Sequence, residues 1–187
     1  MRRALIAMVI TVCATAPVLG AENARLAESR GIVKEFQGDL KRELTAALQA
    51  GGPARAIEVC QVRAREIAKA LAEKTGFRVG RTSSRLRNPR NSPDPWEKKV
   101  HQDFEARATK GQDVSNLEHH EVVDVQGKKV FRYMKAIPMA DLCLPCHGER
   151  LAPDAEPKIR EAYPKDRAMG FKVGEVRGAF TLSKPVE

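Results

Sequence analysis

Residues 120–137 read HEVVDVQGKKVFRYMKAI, and this run predicts a β-hairpin. β-branched and aromatic residues recur in the segments 120–125 and 128–137, as is typical of strands. Gln126 and Gly127 between them mark a tight turn. Strands joined by so short a connection are antiparallel, so the hairpin predicts an antiparallel sheet and argues against an all-helical fold.

Two further segments are predicted to add strands to this sheet. Residues 77–81, FRVGR, form a short strand before the hairpin, and residues 175–182, EVRGAFTL, form a last strand with apolar residues at alternate positions. Such alternation is typical of a strand with one buried face. Residues 148–170 are polar and contain several prolines, so we expect a loop there with one helical turn near residues 158–162.

Helical periodicity dominates the first part of the chain. Apolar residues recur at helical spacing over residues 24–50 and again over residues 54–75. Gly51-Gly52-Pro53 separates the two segments, and Gly76 ends the second. The two helices are therefore predicted to pack as a hairpin.

A third helix is predicted to begin at Asp94-Pro95-Trp96-Glu97 and to run to about Lys110. Asp94 is suited to cap the first turn, and Glu97 is placed to reach back to the cap residue. Trp96 is predicted to lie on the apolar face of this helix and to anchor the core.

Length and element order together define the fold class. A chain of 187 residues with 42% hydrophobic content fits one domain with a sizeable core. The order of helices, strand, helix, hairpin, loop and strand predicts an α+β domain, with an antiparallel sheet, an N-terminal helical hairpin and flanking helices. We expect this single domain to cover residues 21–187.

The first 20 residues, MRRALIAMVITVCATAPVLG, predict a secretory signal peptide. Arg2 and Arg3 precede an apolar run that is too short to span a bilayer, and a proline and a glycine end the run. Cleavage near Gly20 or Ala21 would remove these two positive charges and leave +7 of the net charge of +9. We therefore expect a periplasmic protein that meets a membrane only through its signal peptide before cleavage.

Cys143-Leu144-Pro145-Cys146-His147 is the most informative motif, because C-x-x-C-H is the attachment pattern of haem c. Two thiols at this spacing can reach the two vinyl groups of one porphyrin and form thioethers. The adjacent histidine then offers its imidazole to the iron. Attachment takes place outside the cytoplasm, in agreement with the signal peptide. The sequence thus predicts one covalent haem c held by Cys143, Cys146 and His147.

Three other uses of the cysteines are weaker. Apart from Cys13 in the signal peptide, the chain has three cysteines. A disulfide between Cys143 and Cys146 would leave His147 and Cys60 unexplained. A thioredoxin-like pair should follow a strand within a βαβ unit, which is not predicted here. A zinc site of all four residues has suitable ligand types, but the adjacent Cys146 and His147 would both have to reach one small ion.

The residues alone leave the second axial ligand of the iron open. The candidates are Met134, Met139, His101, His119, His120 and Cys60. Methionine is the common partner in electron-carrying c-type cytochromes. Cys60 differs from the others because it lies mid-helix on an apolar stripe, where a lone cysteine is often only a small hydrophobe.

Arginines crowd the predicted strand at 77–81 and the loop that follows it. They are Arg78, Arg81, Arg85, Arg87 and Arg90. The arginine fork binds carboxylates bidentately, so Arg81 and Arg85 are predicted to hold the haem propionates. The loop lacks the interleaved aromatic residues of a nucleic-acid binder, so we expect no nucleic acid as a partner. The positive charge is instead expected to steer docking with an acidic protein.

Over roughly residues 25–185 the chain resembles the exported c-type haem proteins with a PAS-like fold, a family long known only as a domain of unknown function. The segments that carry the resemblance are AIEVC (56–60), RTS (81–83), RNPRN (87–91), DPWE (94–97), CLPCHG (143–148) and GEVRGAF (174–180). The resemblance implies a PAS-like antiparallel sheet. In that family a cysteine of the early helix binds the iron opposite the motif histidine, which implies Cys60 as sixth ligand and His147 as fifth.

Two roles follow from this resemblance. A thiolate ligand implies a low reduction potential, because axial ligands spread haem potentials over about 0.8 V. The first role is a haem-based redox or small-ligand sensor that signals through a protein partner and binds a diatomic gas if Cys60 leaves the iron. The second is a low-potential electron-transfer cytochrome with the same ligands and no sensing role.

An enzyme is the weaker expectation. A haem peroxidase would need an open coordination position and an acid/base residue beside it. His101 or His119 could supply that residue, but neither lies within a recognisable motif. We therefore expect no catalytic residues and a non-enzymatic protein.

Overall fold

The computed structural model describes residues 16–186, with side chains from residue 20 onward. Its helices are α1 (Ala16–Glu58), α2 (Ala64–Thr75), α3 (Pro95–Thr109), α4 (Leu144–His147) and α5 (Ala155–Ala162). Its strands are β1 (Arg78–Thr82), β2 (Glu118–Val125), β3 (Lys128–Pro138) and β4 (Val176–Pro185). Most of the predicted signal peptide, including Cys13, lies outside the described residues. Over residues 16–186 no helix is long and apolar enough to cross a membrane.

The four strands form one antiparallel sheet in the order β1-β4-β3-β2. The predicted hairpin is confirmed as β2 and β3, which pair Val125 with Lys128 across the turn. Gln126 has φ 55° and Gly127 has φ 79°, the left-handed values that a two-residue hairpin turn requires. The fold is α+β and consistent with a PAS-like sheet, as the sequence predicts.

Both faces of the sheet are covered, because β3 and β4 carry apolar side chains on each face. Phe131, Tyr133, Phe180 and Leu182 pack on one face against residues of α1 and α2. Met134, Ala136 and Ala179 pack on the other face against α3 and the turn before β2. Burial of aromatic and aliphatic side chains on both faces supplies most of the favourable free energy of folding.

The helical hairpin at the N-terminus is present with altered boundaries. Helical structure starts at Ala16 rather than at residue 24. Gly51 and Gly52 have non-helical backbone angles and kink the helix, which then continues to Glu58. The kink confirms the predicted break at residues 51–53. The predicted second helix is interrupted as well, because Val59–Arg63 forms a π-helical turn before α2 begins.

The third helix matches its prediction at the N-terminus. Asp94 accepts a hydrogen bond from the Glu97 amide, and the Glu97 carboxylate accepts one from the Asp94 amide, which completes a capping box. The role predicted for Trp96 is confirmed in part: it packs against the core cluster that contains Val100 and Phe104, but its side chain is only half-buried. The indole stacks under the Arg132 guanidinium, 4.1 Å from the ring centroid, and donates to Glu121.

The region after β3 holds more helix than predicted. α4 covers every residue of the C-x-x-C-H motif after Cys143, and α5 extends the expected helical turn near residues 158–162 back to Ala155. Ile159 and Ala155 of α5 are fully buried. These two short helices pack the motif against the end of α1.

Candidate functional site

The C-x-x-C-H motif lies where the sheet ends. β3 stops at a register shift between Ile137 and Pro138, and the chain then turns through Asp141–Cys143 into α4. Pro145 fits the first turn of this helix, where no amide donor is needed. Gly148 ends the helix, and a Cβ there would lie 2.8 Å from the Leu144 carbonyl oxygen, so only glycine fits.

His147 is held in place by the segment 168–171. The backbone oxygen of His147 accepts a hydrogen bond from the Phe171 amide at 3.0 Å, and the backbone oxygen of Gly148 accepts one from the Gly170 amide at 2.8 Å. Its Nδ1 lies 2.7 Å from the Ala168 carbonyl oxygen. A carbonyl oxygen only accepts, so Nδ1 carries the proton and donates it to Ala168. Nε2 therefore keeps its lone pair, which is the tautomer of a histidine that binds a metal through Nε2.

The surroundings of His147 favour the neutral imidazole. Burial lowers its pKa well below the ordinary value, and the positive charges of Arg177 and Arg87 lower it further. The Arg177 Nε–H group also points at Nδ1 from 3.2 Å, but the shorter contact of 2.7 Å to the Ala168 oxygen assigns the Nδ1 proton, so Arg177 acts on the ring through its charge and not as a hydrogen-bond donor. A neutral, oriented imidazole is what ligation of iron requires.

Cys143 and Cys146 point into two different apolar clusters. Cys143 packs with Met139, Ala168 and Phe171. Cys146 packs with Ile57 at the end of α1 and with Ala155, Ile159 and Tyr163 of the α5 region. The two cysteines are three residues apart, about one turn of the short helix that presents His147. This arrangement suits attachment to two separate substituents of one planar group.

The cysteines are free thiols in the structure, which does not support the disulfide alternative. Burial raises the pKa of Cys146 to about 11, with the charges of Cys60 and Asp154 adding to the effect and Arg87 opposing it. Within residues 16–186, no three His, Cys, Asp or Glu side chains lie close enough together to hold a metal ion. The zinc alternative from Cys60, Cys143, Cys146 and His147 therefore has no geometric support.

Cys60 lies in the π-helical turn Val59–Arg63 that joins α1 to α2. The Cys60 side chain is half-buried. Cys60 comes one helical turn after Ile57, which packs in the same cluster as Cys146. π-Turns are rare and occur most often at functional sites, because they change which side chain a helix presents at one point. The turn sets Cys60 apart from an ordinary buried cysteine, which needs no such distortion.

Charge interactions connect Cys60 to the motif. A Cys60 thiolate raises the pKa of Arg81, Arg177 and Tyr163, and it also raises that of Cys146. The Cys60 sulfur is thus within electrostatic range of all four groups, and Ile57, which precedes it by one helical turn, packs in the same cluster as Cys146.

Three guanidinium groups surround this space. Arg87 pairs with Asp166 at 2.9 Å and donates to the Cys146 carbonyl oxygen at 2.5 Å. Arg81 and Arg177 keep some accessible surface, yet the surrounding protein desolvates them and lowers both pKa values, that of Arg177 to about 10. We refer to the region around Arg81, Arg87 and Arg177 as the cleft.

The cationic groups of this cleft outnumber its carboxylates. Of the residues that the structure describes, none supplies a carboxylate to pair with Arg81, Arg85 or Arg177, although Asp166 pairs with Arg87. Desolvated charges are costly unless an opposite charge compensates them. The cleft is therefore suited to a group that carries acidic substituents, and haem has two propionates. Together with the two thiols and the neutral imidazole, the donor set fits a haem.

The two predicted propionate partners differ in the structure. Arg81 makes no ion pair with any described residue, and its guanidinium lies 5.8 Å from the centroid of the Phe36 ring. The guanidinium of Arg85 lies 3.8 Å from the centroid of the Phe171 ring and donates to the Met169 carbonyl oxygen. Sequence reasoning missed Arg177, which lies beside His147. Its signal was an arginine in the last strand beside Gly178 and Ala179, small residues that leave it room.

The remaining sixth-ligand candidates occupy other parts of the fold. Met134 is fully buried in the core between the sheet and α3. Met139 is buried beside Cys143, on the motif itself. His119 and His120 lie on β2, within 4 Å of Glu121 and Glu22 respectively. None of these residues belongs to the cluster in which Ile57, near the end of α1, packs with Cys146.

His101, the last candidate and a possible peroxidase residue, is buried on α3, and neither ring nitrogen has a hydrogen-bond partner among the described residues.

Because a buried imidazole without partners loses hydration without compensation, replacing His101 by leucine should raise the free energy of unfolding by about 1–2 kcal/mol. Burial lowers the pKa of His101 in the folded protein. The unfolded chain therefore binds the proton first, and the advantage of the variant should grow as the pH falls below about 6.5.

Urea unfolding at about pH 7.5 and about pH 5 measures both effects. Gln102→Leu, an exposed neighbour on α3, is the matched control and should show neither. A His101→Leu protein that is less stable than wild type, or that has the same pH dependence, would mean that the ring has partners in solution.

The sheet with its packed helices makes this an α+β protein of PAS-like architecture. The sequence model of the Tll0287-like family (Tll0287) matches residues 15–185, so the chain belongs to the Tll0287-like family. This confirms the resemblance drawn from the sequence motifs.

Among solved structures, the chain is similar to the cyanobacterial haem protein Tll0287. The two share 22% sequence identity with a TM-score of 0.68, over 88% of this chain and 96% of that one. This similarity supports the fold assignment. Among curated proteins, a sequence search finds no match.

Proposed function

We propose that this protein binds one haem c covalently. Cys143 and Cys146 form the thioethers, and His147 and Cys60 are the axial ligands. The observation that carries the proposal is the state of His147: a desolvated, neutral imidazole that the Ala168 carbonyl oxygen orients, directly after two free thiols. The similar solved structure, Tll0287, is that of a haem protein, which supports the same conclusion.

The cleft residues have separate tasks in this proposal. Arg81 and Arg177 supply positive charge to the propionates, with Arg85 as a further donor. Arg87 and Asp166 hold the segment 166–168, whose carbonyl oxygen orients His147. A bound haem would supply a one-electron couple, and a Cys60 thiolate would stabilise the oxidised form and give a low potential.

We further propose that the protein acts in the periplasm as a redox or small-ligand sensor, with no enzymatic reaction. The π-turn at Val59–Arg63 favours sensing over simple electron transfer, because a turn with non-standard hydrogen bonding can change register at low cost and move Cys60. A diatomic gas would then bind at the position that Cys60 leaves, and the signal would pass to a protein partner. A low-potential electron-transfer cytochrome is the second candidate, and it needs no movement of Cys60.

Carbon monoxide distinguishes the two roles. We expect the reduced protein to bind it without denaturant, with a change in the Soret band, because Cys60 leaves the iron on reduction. The oxidised protein should not respond. Absorption spectra before and after reduction, with and without the gas, provide the measurement. Reversible voltammetry with unchanged ligation and no binding of the gas would contradict the sensor and favour the electron carrier.

A further inference from the structure

The outer edge of β1 lies open along a groove. β1 is the first strand in the sheet order, and among residues 16–186 no other strand pairs with its outer side. The groove has a volume of about 410 Å³, with α2 forming one wall and residues 90–92 the other. The Thr82 hydroxyl donates to the Asn91 carbonyl oxygen at 3.2 Å and closes one end. The free part of the edge is therefore residues 78–81.

The rim of this groove is strongly basic. Its exposed cations are Arg65, Lys69, Arg78 and Arg90. Lys69 has a single distant partner, Glu73 at 3.8 Å, and the other three make no ion pair with any residue that the structure describes. Glu97 is the one carboxylate on the wall, and Arg132 already compensates it at 3.3 Å. The positive charge on the rim is thus available to an acidic partner.

Nothing in the fold requires the residue in the middle of β1, Gly80, to be a glycine. Its φ is not in the left-handed region, and a Cβ there would make an ordinary contact of 3.7 Å with the Thr181 methyl group. A β-branched residue would suit an edge strand better. Glycine inside a strand often marks a place where another backbone approaches closely.

We propose that an extended acidic segment of a partner protein adds to β1 as a fifth strand. Main-chain hydrogen bonds along an open edge give affinity, and flanking side chains give specificity. The four rim cations select a segment with alternating acidic residues. A second copy of this chain is disfavoured as occupant, because its β1 would bring the same positive charges. The proposal extends the proposed function by naming a docking surface, and docking itself requires no haem.

The location gives this surface a connection to the proposed haem site. Arg81 of β1 lines the groove and also lies near Cys60 and Arg177. A strand added beside β1 would contact the same element that carries Arg81. Docking at this edge is therefore a direct way for a partner to detect a change at Cys60.

The test uses the full-length haem-loaded protein and a blocked, fluorescent peptide as long as β1, in which glutamate alternates with valine. A control peptide has the same sequence but N-methylated amides along one edge, so it keeps its charge and loses strand pairing. Arg78→Gln with Arg90→Gln removes two rim charges. Lys128→Gln with Lys129→Gln removes the same charge from the hairpin turn and is the matched control.

We expect the alternating peptide to bind and to protect amides of residues 78–81 from hydrogen exchange. The N-methylated peptide should bind roughly tenfold more weakly. The double arginine variant should lose about fivefold in affinity, and the double lysine variant should be unchanged. Equal binding of both peptides, displacement by inorganic phosphate alone, or absence of protection in β1 would overturn the proposal. A Soret band in the same samples reports haem independently, so failure of docking and failure of haem binding are distinguishable.

Discussion

Replacing Cys60 by alanine is expected to raise the reduction potential of the haem-loaded protein by about 0.1 V or more and to shift its oxidised Soret band. The thiolate donates electron density to the oxidised iron, and alanine removes that donation. Cys60 is positioned for this by the π-turn between α1 and α2, and its charge reaches Cys146, Arg81 and Arg177. Redox titration followed by absorption measures both changes.

Val62→Ala is the matched control for this variant. Val62 lies in the same π-turn but is exposed, so its truncation tests whether any change in the turn alters the haem. The control should keep the potential and the spectrum of the wild type. If Cys60→Ala also keeps them, Cys60 is a packing residue and a methionine or histidine must bind the iron instead.

Replacing Asp166 by leucine should lower the free energy of unfolding by about 3–5 kcal/mol. Asp166 and Arg87 form a desolvated ion pair, with only 4% and 9% of their side chains exposed. Leucine leaves the Arg87 charge without compensation inside the protein. The same carboxylate accepts from the Ala168 amide at 2.8 Å, so the segment that orients His147 also loses an anchor. Chemical denaturation of the variant and the wild type gives the difference.

Two further variants make this test specific. The double variant Arg87→Leu with Asp166→Leu should recover much of the lost stability, because no unpaired charge remains. Glu161→Leu breaks an exposed pair with Lys158 at 3.2 Å and should change stability by less than about 1 kcal/mol. A loss for Asp166→Leu as small as that for Glu161→Leu would show that the cleft is hydrated in solution.

Local patterns were sufficient to predict most of the fold. The hairpin at residues 120–137, the capping box at Asp94 and the break at Gly51-Gly52 are each encoded by a few adjacent residues. The π-turn at Val59–Arg63 and the helix α4 were not predicted, because tertiary contacts impose them on sequences that favour an ordinary helix or a loop. Periodicity in one chain does not record such contacts.

The site shows the same limit. The C-x-x-C-H motif is five adjacent residues and can be read directly from the sequence. The groups that orient His147 and keep it neutral come from distant segments. Ala168 orients His147 through a backbone oxygen, which no side-chain pattern can reveal. Arg177 reaches the imidazole because β4 returns the chain to the end of β3. Arg81 and Cys60 were each predicted from the sequence, but the charge interaction between them became evident only in three dimensions.

The intact mass of the purified protein, produced with export and haem c maturation, tests the central claim most directly. It should be measured before and after extraction with acidified acetone, which removes haem that is not covalently bound. We expect the mass of the polypeptide plus one haem in both samples, and loss of that added mass only when Cys143 and Cys146 are both replaced by serine. A polypeptide mass without haem, or a haem that the solvent removes from the wild type, would contradict it.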